Sequence, residues 1–130
     1  MNKAPLTTPY TRLEIIDDIL YGVFFPGITI NIDIAKEIVK TRLEYTDYVP
    51  YPMFIFDSGV VSMNKEARDY FSNKNGGMEG TIAAALLLKS VYSEFLGNFF
   101  LRITKPAMPT KVFSDEKKAL EWLQQFKPKS

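Results

Sequence analysis

Four consecutive apolar residues, Met53 to Phe56, form the pattern of a strand buried on both faces. Asp57-Ser58-Gly59 interrupts the run, Val60 to Met63 carries the chain onward, and Asn64 stands where a side chain can cap a helix starting at Lys65. Upstream, Tyr10 to Ile16 alternates, with Leu13 and Ile15 on one side and Arg12 and Glu14 between them, as in a half-buried strand. Asp17-Asp18 suits a two-residue turn, since Asp tolerates the left-handed conformation. Ile19 to Phe25 follows as a more apolar strand, so the two are expected to form an antiparallel hairpin.

The period then changes. From the candidate cap Asn31, residues Ile34, Ala35, Ile38, Val39 and Leu43 recur at helical spacing to about Tyr45, with Lys36, Glu37, Lys40, Arg42 and Glu44 as the solvated side. Pro50 and Pro52 stop that helix. The helix after Asn64 fades near Asn73–Gly77, and Thr81 to Leu88 is a second all-apolar run, read as a strand. A helix capped by Ser90 is expected over Val91–Thr104, a short strand over Lys111–Phe113, and a last helix capped by Ser114 with Ala119, Leu120, Leu123 and Phe126 facing inward beside Trp122. The order ββαβαβαβα predicts an α/β fold. Its sheet is mixed, antiparallel in the N-terminal hairpin and parallel through the later β-α units, with helices packed on it. Residues 1–9 read as a loose arm and 10–130 as one domain.

Composition narrows the chemistry. The 130 residues contain no Cys and no His, which removes disulfides, thiol nucleophiles, imidazole bases and ordinary zinc sites. No dense acidic loop of calcium-binding spacing occurs, so neither metal nor cofactor is expected. The formal charge is +1, without the basic surplus of a nucleic-acid binder. No apolar run approaches the length of a membrane span, and MNKAPLTTPY lacks the apolar block of a signal peptide, so a cytoplasmic setting is expected.

Short motifs add little. Ser62-Met63-Asn64-Lys65 matches the S-x-x-K pattern of serine acyl-enzymes, but its companion elements are missing and a plain helix start explains it. Gly76, Gly77 and Gly80 follow a helix and precede a strand, the reverse of a phosphate cradle, so they read as a turn. Asp57 is the one carboxylate leaving a buried strand, and bonding to loop amides is its simplest role. No enzyme is expected.

Three segments carry a family likeness: TINIDIAKEIV, YPMFIFDSGVVSMNKEARDYF and GNFFLRITKPAMPTKVFSDEKKALEWL. Through them the chain resembles the STAS-like fold, that of anti-sigma factor antagonists and of the cytoplasmic ends of sulphate transporters. Within it, the chain looks like a group of small uncharacterised bacterial proteins. In the antagonists, the resemblance implies a phosphorylatable Ser or Thr at the start of the helix after the central strand, preceded by Asp. Here Asn64 falls at the Asp position and Lys65 at the Ser position. Ser58 and Ser62 are the hydroxyls left in that loop.

The resemblance and the loop's place after a buried strand lead to one expectation, a non-enzymatic regulatory or protein-interaction module. Asp57, Ser58, Ser62, Asn64 and Lys65 are its binding loop. In the segment from Val91, residues Val91, Tyr92, Phe95, Leu96, Phe99, Phe100 and Ile103 sweep about half a helix circumference by 3.6-residue geometry. A helix lying on a sheet needs little more than a third. Each large apolar side chain left in water forgoes about 1.5–3 kcal/mol of burial. Tyr92, Leu96, Phe99 and Phe100 are therefore candidate interface residues, for a protein partner or for self-association as a homodimer. The alternative is carriage of a small apolar or lipid-like ligand between this aromatic helix and the sheet.

Overall fold

The computed structural model describes residues 3–57, 62–88, 101 and 105–127. Its hairpin is β2 (Thr11–Ile16) and β3 (Ile19–Phe24), antiparallel, with Ile16 opposite Ile19. Asp17 and Asp18 both take positive φ, 51° and 61°, the signature of a two-residue type I′ turn whose twist matches the flanking strands. A short strand β1 (Leu6–Thr7) pairs antiparallel with β2, so the segment expected to be a loose arm supplies the sheet edge.

Beyond the hairpin the chain becomes parallel, as the order of elements predicts. β3 pairs with β5 (Tyr51–Asp57), β5 with β7 (Thr81–Leu87) and β7 with β8 (Thr110–Phe113), giving the order β1-β2-β3-β5-β7-β8. The two apolar runs are thus adjacent central strands. Two further segments, β4 (Thr29–Ile30) and β6 (Ser62–Met63), make a separate two-stranded parallel sheet that the sequence pattern does not announce.

Strand alternation divides the core between the two faces of the large sheet. On one face Ile19, Phe54, Ala83, Ala85 and Phe113 pack against Ala119 and Leu123 of the last helix, α3 (Glu116–Gln124). Trp122 and Phe126 close that cluster with rings 4.9 Å apart. On the other face lie Leu13, Leu20 and Met53, next to Tyr45 of α1 (Ile32–Tyr45). A third cluster joins α1, through Ala35 and Ile38, to Ala67 of α2 (Lys65–Ser72) and to Ile30 of the small sheet.

Among the three helices whose starts are described, the caps follow the sequence at two. Asn31 Oδ1 accepts from Ile34 N at 2.9 Å, and Asn64 Oδ1 from Ala67 N at 2.9 Å. At α3 the cap is Asp115, not Ser114: Asp115 is extended and its carboxylate accepts from Lys118 N at 3.3 Å. The helix expected over Val91–Thr104 falls outside the described residues except at Leu101, whose carbonyl accepts from Lys105 N at 2.9 Å.

Candidate functional site

The end of β5 and the start of α2 hold the described part of the predicted loop. Ser62 N donates to Ile28 O at 3.0 Å and Asn64 N to Ile30 O at 3.4 Å, so β6 is anchored to β4 just before the helix. Ser62, Asn64 and Lys65 are exposed there. Asn64 is the cap already described, and Lys65 Nζ reaches Asp69 Oδ2 at 2.8 Å, one helical turn on. Among the described residues no hydrogen bond joins Lys65 to Ser62, so the S-x-x-K segment has the geometry of an ordinary helix start. Asp57 is the last residue of β5, while Ser58 lies outside the described residues, as do Tyr92, Leu96, Phe99 and Phe100.

A second feature lies on the face of the sheet that carries α1. A cavity of about 570 Å³ opens between the strands and the two helices α1 and α2. Its floor is Leu13, Leu20, Gly22, Ile55, Ala84, Leu86 and Val112. Ile38, Val39 and Arg42 line it from α1, and Arg68, Phe71 and Ser72 from α2. It falls between the second and third apolar clusters, where small residues keep them from merging. Gly22 has no side chain, and a Cβ there would lie 3.1 Å from Ile55 Cδ1. Ala84 presents only a methyl group. Volumes of this order are those of small-molecule sites, which are mostly apolar with few polar groups. Sequence reasoning missed this site, although a glycine inside an apolar strand was its available signal.

The one strongly buried charge beside the cavity is Arg42, placed on the solvated side by helical periodicity yet only 5% exposed. Its Nη2 donates to Gly77 O at 3.0 Å, and its Nη1 is buried without an acceptor among the described residues. Burial lowers the guanidinium pKa from its ordinary value to about 10, with Glu79 and Tyr70 pulling the other way. Arg42 is still a cation at neutral pH.

A model of the domain of unknown function DUF7793 matches residues 13–127. The chain belongs to the DUF7793 family. No curated protein matches it. Among solved structures, the DUF7793 chain is similar to an uncharacterised DUF3478-family protein with a SpoIIAA-like fold from Shewanella loihica PV-4. The TM-score is 0.60 at 13% identity, covering 87% of this chain and 91% of that one. A protein of unknown function from Arthrobacter sp. FB24 is 25% identical over 87% of this chain and 92% of that one, with a TM-score of 0.28. The first of these likenesses and the strand order agree: DUF7793 has the STAS-like, α/β fold that the sequence resembles. Among the described residues no helix is long and apolar enough to cross a membrane.

Proposed function

We propose that this chain is a non-enzymatic, regulatory recognition module of STAS-like fold that engages another protein through the end of β5 and the start of α2. The observation that supports the reading is the base on which Ser62, Asn64 and Lys65 stand. Pairing with β4 and the Asn64 cap hold three exposed polar side chains in fixed positions beyond a central strand. That is where open α/β sheets place their working groups. Asp57 and Ser58 belong to the same proposed surface. Tyr92, Leu96, Phe99 and Phe100 form its proposed apolar part, toward a partner or a second copy. In this reading the chain acts as one domain, with β1 at the edge of its sheet, in the cytoplasm and without a cofactor. Lys65 offers no hydroxyl at the helix start, so regulation by phosphate runs through Ser58 or Ser62.

Native mass spectrometry of the chain isolated from its own host tests this. A stoichiometric protein partner lost in Lys65→Glu, or a phosphate on Ser58 or Ser62, is the expected result. A chain free of both would overturn the proposal.

The cavity favours a second reading, carriage of a small apolar or lipid-like ligand. Here the same spectrum shows a bound mass in the parent that is absent in Ala84→Leu, which projects a larger side chain from the floor. An unliganded parent that also fails to bind added apolar probes would sink it.

A further inference from the structure

The cavity lining is asymmetric in charge. Among its described residues two are cationic, Arg42 and Arg68, and none is acidic. Arg68 is exposed on α2, whereas Arg42 is buried on α1. A buried guanidinium needs its donors met and its charge balanced, and leaving either undone is costly. Gly77 O takes one nitrogen of Arg42, and among the described residues Nη1 has no acceptor and no carboxylate lies within ion-pairing distance of the guanidinium. Glu79 acts on it only through space and is itself exposed. The planar guanidinium fork fits a carboxylate better than any other common anion except phosphate. The cavity floor is hydrocarbon, with Leu13, Ile55, Leu86 and Val112 drawn from four of the five successive strands β2-β3-β5-β7-β8. Walls of this kind accept an alkyl chain and reject a free inorganic anion.

We propose that the cavity takes an apolar monocarboxylate of fatty-acid type, its carboxylate paired with Arg42 and its chain laid along the sheet floor. This rests on the ligand-carriage reading and adds to it the charge of the head group.

Calorimetric titration of the full chain with decanoate and with 1-decanol at pH 7.5 separates the two ideas. Decanoate is expected to bind about tenfold more tightly than decanol, the worth of a charged hydrogen bond. Arg42→Met should erase that preference while keeping decanol affinity, and Arg68→Gln should leave the preference in place. The Arg42 Nε–H resonance should shift on adding decanoate and not on adding decanol. Equal affinities in the parent chain would overturn the carboxylate assignment and leave carriage standing, as would a preference that survives Arg42→Met. Binding of neither probe would overturn carriage as well. Should Arg42→Met fail to fold, the parent preference and the Nε–H shift decide the matter.

Discussion

Burial holds the Arg42 guanidinium at a pKa of about 10, well below its ordinary value. That depression is a cost to the charged form on the order of 3 kcal/mol. A base with a depressed folded pKa destabilises the fold below that pKa. Above about pH 10 the unfolded chain holds more protons than the folded one, so this group's cost is relieved as pH rises from the folded value toward the ordinary one. Arg42→Met gives up the hydrogen bond to Gly77 O, worth about 1.5–3 kcal/mol, but also removes the buried charge and keeps a long apolar stem. The two effects nearly cancel. Chemical denaturation at pH 7 is expected to place Arg42→Met within about 1 kcal/mol of the parent, whereas Arg42→Ala, which also empties the space of the stem, loses about 2–4 kcal/mol. An equal, large loss in both would mean that the charge itself holds the site together. The turn facing Arg42 is confined just as tightly. Gly80 has φ +69°, and a Cβ there would lie 2.8 Å from Leu43 Cδ2; a Cβ on Gly77 would lie 2.4 Å from Phe71 backbone atoms. Gly77 is required by the close backbone and Gly80 by its positive φ, which is why that turn needs no phosphate to explain it.

The helix starts show which parts of this architecture are written locally. Asn64 capping α2 was legible because a short polar side chain stands directly before a new helical period, and Asn64→Ala is expected to cost about 1 kcal/mol in urea denaturation. Lys65 sits in the positive first turn of α2 and precedes Asp69 in the weaker of the two ion-pair orientations, with both side chains exposed. Lys65→Ser should therefore unfold at a denaturant midpoint no lower than the parent, and a clear drop would show a tertiary role for the lysine. The two apolar runs were readable as central strands because two-sided burial suits unbroken hydrophobicity, although for the Ala- and Leu-rich Thr81–Leu88 it was the preceding glycine-rich turn that decided strand over helix. At α3 two adjacent residues could each cap, and backbone conformation, which composition does not encode, selects Asp115 over Ser114. Strands β1, β4 and β6 are two residues each, too short to show a period. Arg42 was misplaced because helical spacing reports the side of a helix but not a turn, such as Gly76–Gly80, that later packs over it. The cavity was hidden for a similar reason: Gly22 marks a gap in an apolar strand, but only the sheet brings it and Ala84, on strands either side of β5, to line one cavity.

At the scale of the molecule, the N-terminal segment fastens the sheet to α1. Leu6 and Thr7 cover the outer edge of β2, and Leu6 packs on the cluster of Leu13, Leu20, Tyr45 and Met53. Lys3 Nζ donates to Tyr45 O at 2.7 Å, and the Tyr45 hydroxyl donates to Ala4 O at 2.9 Å, so both ends of that buried tyrosine are held. Burial raises the Tyr45 pKa. Its contribution to stability is accordingly complete below pH 10 and is lost as pH rises through the folded value. Deleting residues 1–7 removes these bonds together and uncovers the β2 edge, a template for pairing with other chains. The expected loss is about 2 kcal/mol, from a few net hydrogen bonds at about 0.5–1.5 kcal/mol each and the burial of Leu6. Urea unfolding should show a lower midpoint at nearly unchanged slope, because little of the total surface is involved. Hydrogen exchange should quicken in β2 and at the end of α1, while β5 and β7 stay protected at the centre of the sheet. An unchanged midpoint would mean that the first residues merely lie against a sheet already complete at β2.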